Sequence, residues 1–260
     1  MGSYPRSYGF RFRGGGLFTP AIKTLLIANA SVFLVQTLVL LLAGSGPYQA
    51  LNAIFGLVPM RVVLHGWLWQ PFTYLFLHGG LWHLLFNMLF LWMFGGDLER
   101  AWGRRRFYAY YFVAGVGAGV VNVVVKMLLN IFGTARSDVP TIGASGAIYG
   151  ILLANAVLFP DRQIWLIPFP VMLPMRLYVL AAGAIEFFGT LGASGDNISH
   201  VCHLGGMLAG YLYLRRGSFL YRMRNVVSDW KRRRLRRQFE VYQRQHEKDD
   251  RSSHPDNWVN

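Results

Sequence analysis

Six blocks of apolar residues, at 20–43, 81–95, 107–132, 144–159, 177–191 and 198–214, decide what this chain can become. A helix needs roughly 20 residues to cross the hydrocarbon core of a bilayer, and every block reaches or approaches that length. The blocks at 81–95, 144–159 and 177–191 are short, so polar flanks or local thinning must help them. Only 15% of the 260 residues are charged and 53% are hydrophobic, a poor composition for a soluble domain. No stretch has the layout of a cleaved signal peptide, so the first block is expected to stay in place. The expectation is an all-α, polytopic membrane protein: a bundle of six transmembrane helices.

A formal net charge of +14 raises the question of nucleic acid. The placement of that charge answers it. Arg6, Arg11 and Arg13 precede the first block; Arg100, Arg104, Arg105 and Arg106 lie between the second and third. Arg162 and Arg176 lie between the fourth and fifth, and a dense basic run from Arg215 to Arg237 follows the sixth. The other connections carry little positive charge: Arg61 in the first, Arg136 in the third, and Asp196 in the last. Basic connections alternate with poor ones, so the positive-inside rule puts both termini in the cytoplasm. The partner implied is the lipid bilayer and not nucleic acid, and the membrane expected is a bacterial inner membrane.

Three regions follow: a cytoplasmic arm at 1–19, the helical domain at 20–215, and a basic cytoplasmic tail at 216–260 that reads as lying near anionic lipid. The long connection from Gly44 to Leu77 carries Trp67, Trp69, Phe72, Tyr74 and Phe76, aromatics suited to the outer headgroup level. Pro168, Pro170 and Pro174 rule out a continuous helix over 161–176. Cys202 is the only cysteine, which excludes a disulfide within the chain.

Polar side chains inside spans are expensive, and each asks for an explanation. They are Ser145, His203 with His200, His83 with Asn87, Glu186, and Asn29 and Asn122 nearer helix ends. Singly, each has a plain reading. Ser145 stands beside a stripe of small residues, Gly146, Gly150 and Ala154, that suits helix packing. Glu186 reads as a hydrogen-bonding group within the bundle and is assigned no chemistry. Depth changes the balance. Counted up from the cytoplasmic ends at ~1.5 Å per residue, His83 stands ~21 Å above Asp97, Ser145 ~24 Å above Asp161 and His203 ~18 Å above Arg215. Three spans thus bring a serine and two histidines to nearly one level.

Those residue types suit acyl transfer. A serine hydroxyl is a weak nucleophile until a base takes its proton, and histidine has the right basicity. The tetrahedral intermediate needs donors aimed at its oxyanion. His83 and Asn87 lie one helical turn apart on one face, and the start of a helix at Ser145 offers unpaired N–H groups. Gly205, Gly206 and Gly210 let the sixth helix approach the fourth. His200 falls in the first turn of the sixth helix, beside the polar loop of Gly195, Asp196 and Asn197, where it can cap or hold that loop.

The segments "GASGAIYG", "CHLGGMLAG" and "HGGLWHLLFNMLFLWMFGGDLE" together resemble the rhomboid intramembrane serine proteases, over about residues 20–215. The resemblance implies Ser145 as nucleophile and His203 as general base of a dyad without a third acid. It further implies an oxyanion hole from His83, Asn87 and the Ser145 N–H, with Tyr149 packed on the catalytic imidazole. Implied substrates are single-pass or other transmembrane proteins, cut within or near the membrane without cofactor or metal. Two positions depart from the family pattern: Gln70 follows Trp69 where arginine is common, so the resemblance carries no claim about how that loop is anchored, and Cys202 replaces the usual alanine. One alternative is a catalytically silent rhomboid-like protein that binds transmembrane helices. Another is a transporter or metal carrier using His78, His83, His200 and His203, although intramembrane carboxylates suited to ion coupling are lacking.

Overall fold

The computed structural model describes residues 18–132, 138–166, 171–191 and 199–216. The expectations for the arm at 1–17, the loop at 192–198 and the tail at 217–260 fall outside the described residues. Each of the six apolar blocks is helical where it is described. Helix α1 (Pro20–Ala43) is followed by three short helices, α2 (Ser45–Phe55), α3 (Pro59–His65) and α4 (Gln70–Thr73). Next come α5 (Leu81–Phe90), a wide turn at Leu91–Gly95, α6 (Gly96–Trp102) and the long α7 (Arg104–Ile131). Helices α8 (Ser145–Leu158) and α9 (Met175–Leu191) precede a last helix, α10, at 200–216. Among the described residues, three stretches are long and apolar enough to cross a membrane: Pro20–Ala43, Leu81–Trp102 and Arg104–Ile131.

The surface is inverted relative to a soluble protein. Leu41 and Leu42 are 73% and 83% exposed, whereas Asn29, Gln36, Asn122, Asn155 and Glu186 are buried. Apolar side chains outside and polar ones inside suit a lipid environment. Asn155 donates to the carbonyls of Ile151 and of Phe94, inside the wide turn that joins α5 to α6. That turn lets one apolar stretch run on to Trp102, past the expected end at 95. Glu99, near its end, accepts from the N–H groups of Ala21 and Ile22 at 2.9 and 3.2 Å and from the Thr19 hydroxyl. It therefore supplies the orphan donors of the first turn of α1 with a distant carboxylate.

The expectation of an all-α chain fails at one place. Strands β1 (Gln163–Leu166) and β2 (Val171–Pro174) pair antiparallel, with Gln163 opposite Pro174 and Ile164 opposite Leu173. The prolines disfavour a helix, and the antiparallel pairing gives the backbone groups of the two strands partners.

Small residues set the helix spacing around α8. A side chain on Gly146 would meet the Ala118 Cβ at 2.7 Å, and one on Gly150 the Ala114 Cβ at 2.5 Å, so α8 lies directly on α7. On its other side, a Cβ on Gly206 would sit 1.9 Å from the Gly146 carbonyl oxygen. Backbone touches backbone there, as small-residue interfaces permit. Gly205 differs from expectation: it faces Val121 and Ala118 of α7, not α8. With two glycines adjacent in sequence, their faces must diverge by a helical step, so α10 uses one on each neighbour.

Candidate active site

The approach to Ser145 is pinned by backbone. Leu57 and Thr141 exchange N–H···O bonds at 2.9 Å in both directions, and the Gly143 N–H donates to the Tyr74 carbonyl at 2.9 Å. Gly143 has φ +124°, a conformation that L side chains rarely adopt. A Cβ there would also strike the His83 ring at 2.8 Å. Both reasons demand glycine. Two residues later α8 begins with Ser145 itself, so the hydroxyl sits at a helix N-terminus with its unpaired N–H groups.

The imidazole of His203, from α10, meets that hydroxyl: Nε2 lies 2.7 Å from Ser145 Oγ. His203 and not its neighbour His200 makes this contact, at the level where Gly206 brings α10 onto α8. Tyr149, one turn along α8, stacks on the His203 ring with centroids 4.3 Å apart and an interplanar angle of 10°. The ring is thus fixed in plane by one residue of α8 and in direction by another.

Glu186 on α9 closes the far side. Its carboxylate Oε2 stands 2.9 Å from His203 Nδ1 and 2.6 Å from His200 Nδ1. Tyr149 donates its hydroxyl to Oε1. A carboxylate thus stands at hydrogen-bond distance from the imidazole that meets Ser145, and His200 turns toward α9, where a Cβ on Gly189 would meet its ring at 2.7 Å. The sequence signal for Glu186 was its cost: a carboxylate in an apolar block has to be partnered. No spacing rule relates it to a histidine 17 positions on, because the partner is set by helix packing.

On the other flank, His83 abuts Gly143 and accepts at Nδ1 from the Gly79 N–H at 3.3 Å. The Asn87 side chain donates to the His83 carbonyl at 2.8 Å, one turn back on α5. His78 packs edge-on against His83 with centroids 5.1 Å apart, and its N–H donates to Gln36 Oε1 at 3.0 Å. Cys202 is buried beside the Tyr74 hydroxyl, at 3.5 Å, and is small enough to sit against Gly146.

Gln70 anchors the loop that the resemblance left open. Buried, it accepts from the Val58 N–H at 2.9 Å and donates to the Ala53 and Ile54 carbonyls at 3.0 and 3.1 Å. A neutral amide offers both acceptor and donors, so it can bond both kinds of backbone group. Trp69 adds a bond from its indole N–H to the Ile54 carbonyl at 2.9 Å.

Among the described residues, Glu186, His200 and His203 form a group whose ligand atoms lie within 4.8 Å of one another. The N···O separations of 2.6 and 2.9 Å are shorter than the roughly 3.3 Å between ligands on a tetrahedral zinc. The 2.6 Å contact is a hydrogen bond between His200 Nδ1 and the carboxylate, and the 2.9 Å one lies at hydrogen-bond distance.

The Rhomboid domain family matches residues 65–218, more than half the chain. The chain is 34% identical over 140 residues to "Rhomboid protein 1, mitochondrial" of Saccharomyces cerevisiae, covering 53% of this chain and 38% of that protein. It is 31% identical over 147 residues to "Presenilin-associated rhomboid-like protein, mitochondrial" of Bos taurus, covering 55% and 36%. It is 30% identical over 158 residues to "Rhomboid protease GluP" of Bacillus subtilis, covering 60% and 27%. The chain therefore matches less than two fifths of the length of each of these curated relatives. Two of the three are mitochondrial by name, so the likeness supports a membrane protein but not the bacterial inner membrane expected from the sequence. The matched region contains Ser145, His203, His83 and Asn87, and with it the chain belongs to the rhomboid family.

Proposed function

We propose that this chain is an intramembrane serine endopeptidase that cuts transmembrane-anchored proteins within or near their membrane segment. One observation carries the reading: His203 Nε2 is 2.7 Å from Ser145 Oγ, with the serine at a helix N-terminus and the imidazole stacked on Tyr149. In the reaction, the Ser145 hydroxyl proton moves to His203 Nε2 as Oγ bonds to the scissile carbonyl carbon. The carbonyl electron pair moves onto its oxygen. On collapse the C–N bond breaks and the departing amine takes the proton from His203, leaving an acyl-enzyme for water to cleave by the same sequence.

The oxyanion falls to the Ser145 N–H, His83 and Asn87. The Asn87 amide has two N–H groups, of which one is used on the His83 carbonyl. The His83 ring lies against Gly143, two residues before the nucleophile. These donors are fixed before the substrate arrives, which is the condition for strong stabilisation of developing charge. No cofactor is needed for these steps. A silent helix-binding role has no need for a base at bonding distance from a serine, and the GluP relative is by name a protease.

The reading includes six spans within 20–215, both ends of that region on the cytoplasmic side and a separate basic tail at 216–260. The test of activity is Ser145→Ala, which deletes one oxygen in a small-residue stripe. A folded but inactive variant toward a model transmembrane substrate is expected, and cleavage by the variant overturns the proposal. The test of orientation uses Ser45→Cys and Ser228→Cys separately, with Cys202 replaced, and an impermeant thiol reagent on intact cells. Labelling at position 45 alone is expected; labelling at 228 alone reverses the orientation.

A further inference from the structure

We propose that Glu186 is a positioning residue for His203, so that the site works as a Ser145–His203–Glu186 triad. The inference rests on the serine-protease reading above. The His203 ring lies between the two groups, Nε2 at 2.7 Å from Ser145 Oγ and Nδ1 at 2.9 Å from Glu186 Oε2. A carboxylate on Nδ1 keeps the proton there, leaves the Nε2 lone pair for the serine proton, and stabilises the imidazolium that forms.

The carboxylate is itself held from two further sides. Tyr149 donates to Oε1 while its ring stacks on His203, so one side chain sets both the imidazole plane and the aim of the acid. His200 holds Oε2 at 2.6 Å. The Nδ1–H of His203 is not well aligned with Oε2 despite the 2.9 Å separation. Poor alignment at rest is common in catalytic hydrogen bonds that tighten as charge develops. A contact that strengthens when the ring becomes a cation favours the transition state over the ground state, which is what accelerates the step.

The diagnostic change is Glu186→Gln. Tyr149 would donate to the amide oxygen, turning the NH2 toward the two Nδ1 atoms. His203 Nδ1 must then accept, its proton moves to Nε2, and Nε2 can no longer take one from Ser145. A residue that merely braced α9 against α10 would not have this effect.

The full chain in detergent micelles or proteoliposomes carries the test. Turnover of a transmembrane substrate is measured together with the rate and final extent of labelling by a fluorophosphonate. Glu186→Gln is expected to lower kcat and the labelling rate in parallel, between about 10-fold and the roughly 10,000-fold of a soluble triad. KM and the final labelled fraction stay unchanged, and Glu186→Asp restores part of the rate. Wild-type rates in Glu186→Gln overturn the inference. So does a loss seen as a smaller labelled fraction whose remaining molecules react at the wild-type rate. If Glu186→Gln does not fold, Tyr149→Phe replaces it: a slower rate at unchanged labelled fraction supports the role, and a wild-type rate overturns it. Ser145→Ala separates the two claims. Inactive Ser145→Ala beside a fully active Glu186→Gln removes the triad and leaves the protease reading intact, whereas active Ser145→Ala removes the protease reading.

Discussion

The two flanks of Ser145 are built differently. On the base side, α8 and α10 meet through backbone at Gly146 and Gly206, and His203 is held by Ser145, Tyr149 and Glu186 at once. On the oxyanion side, His83 rests on single bonds along its own segment, to the Gly79 N–H and from Asn87. The outer face of α5 is apolar and open, with Trp82 71% exposed. A geometry enforced by backbone contact has nowhere to relax, while one enforced by separate side chains degrades one donor at a time. Loss of the base itself or of the close helix contact should abolish activity, whereas damage on the oxyanion side should be graded.

The largest expected effect tests the first half of that contrast. His203→Ala should reduce kcat by a factor approaching the roughly million-fold loss seen when a serine protease loses its base. Measurable turnover in folded His203→Ala would mean that the base is elsewhere. Gly206→Val attacks the same flank through packing: its Cβ would fall 1.9 Å from the Gly146 oxygen. Overpacking of this kind costs up to about 3 kcal/mol or more, so both thermal stability and activity should collapse together. A stable, active variant would show that the close approach is dispensable.

The graded flank is tested next. Asn87→Ala and His83→Ala, taken singly, should each lower kcat by about 100- to 1,000-fold, with cleavage still detectable because other donors remain. If both variants keep the wild-type rate, the oxyanion donors lie elsewhere. Smallest is the effect on chemistry of the loop between α3 and α5. Gln70→Ala leaves the buried Val58 N–H without its acceptor, at a cost of about 1–3 kcal/mol. Melting temperature should fall while kcat per folded molecule changes little. An equal loss of kcat at unchanged stability would place the loop in the chemistry.

Much of this was legible in the sequence, and the reason differs by feature. Apolar block length gave the positions of the helices because lipid leaves the backbone no alternative. Ser145 and His203 stood out as polar groups at nearly one depth in apolar blocks, on a helix whose glycines mark close approach, whereas the place of Tyr149 one turn from Ser145 came from the family resemblance. Glu186 was visible as an anomaly but not as a partner, since its relation to His203 depends on how α9 packs against α10. The effect of Gln70 was not legible for a similar reason. A departure from the family arginine says nothing about which carbonyls of α2 lie within reach. The strand pair of Gln163–Leu166 and Val171–Pro174 was legible only as an exclusion, because proline states what a segment cannot be.

The most direct test of the account is the site of covalent reaction with a fluorophosphonate, mapped by peptide mass spectrometry in the wild type and in His203→Ala. The account predicts a single adduct on Ser145 in the wild type and none at the same exposure in His203→Ala. An adduct on another residue, or undiminished labelling of Ser145 without His203, would contradict it.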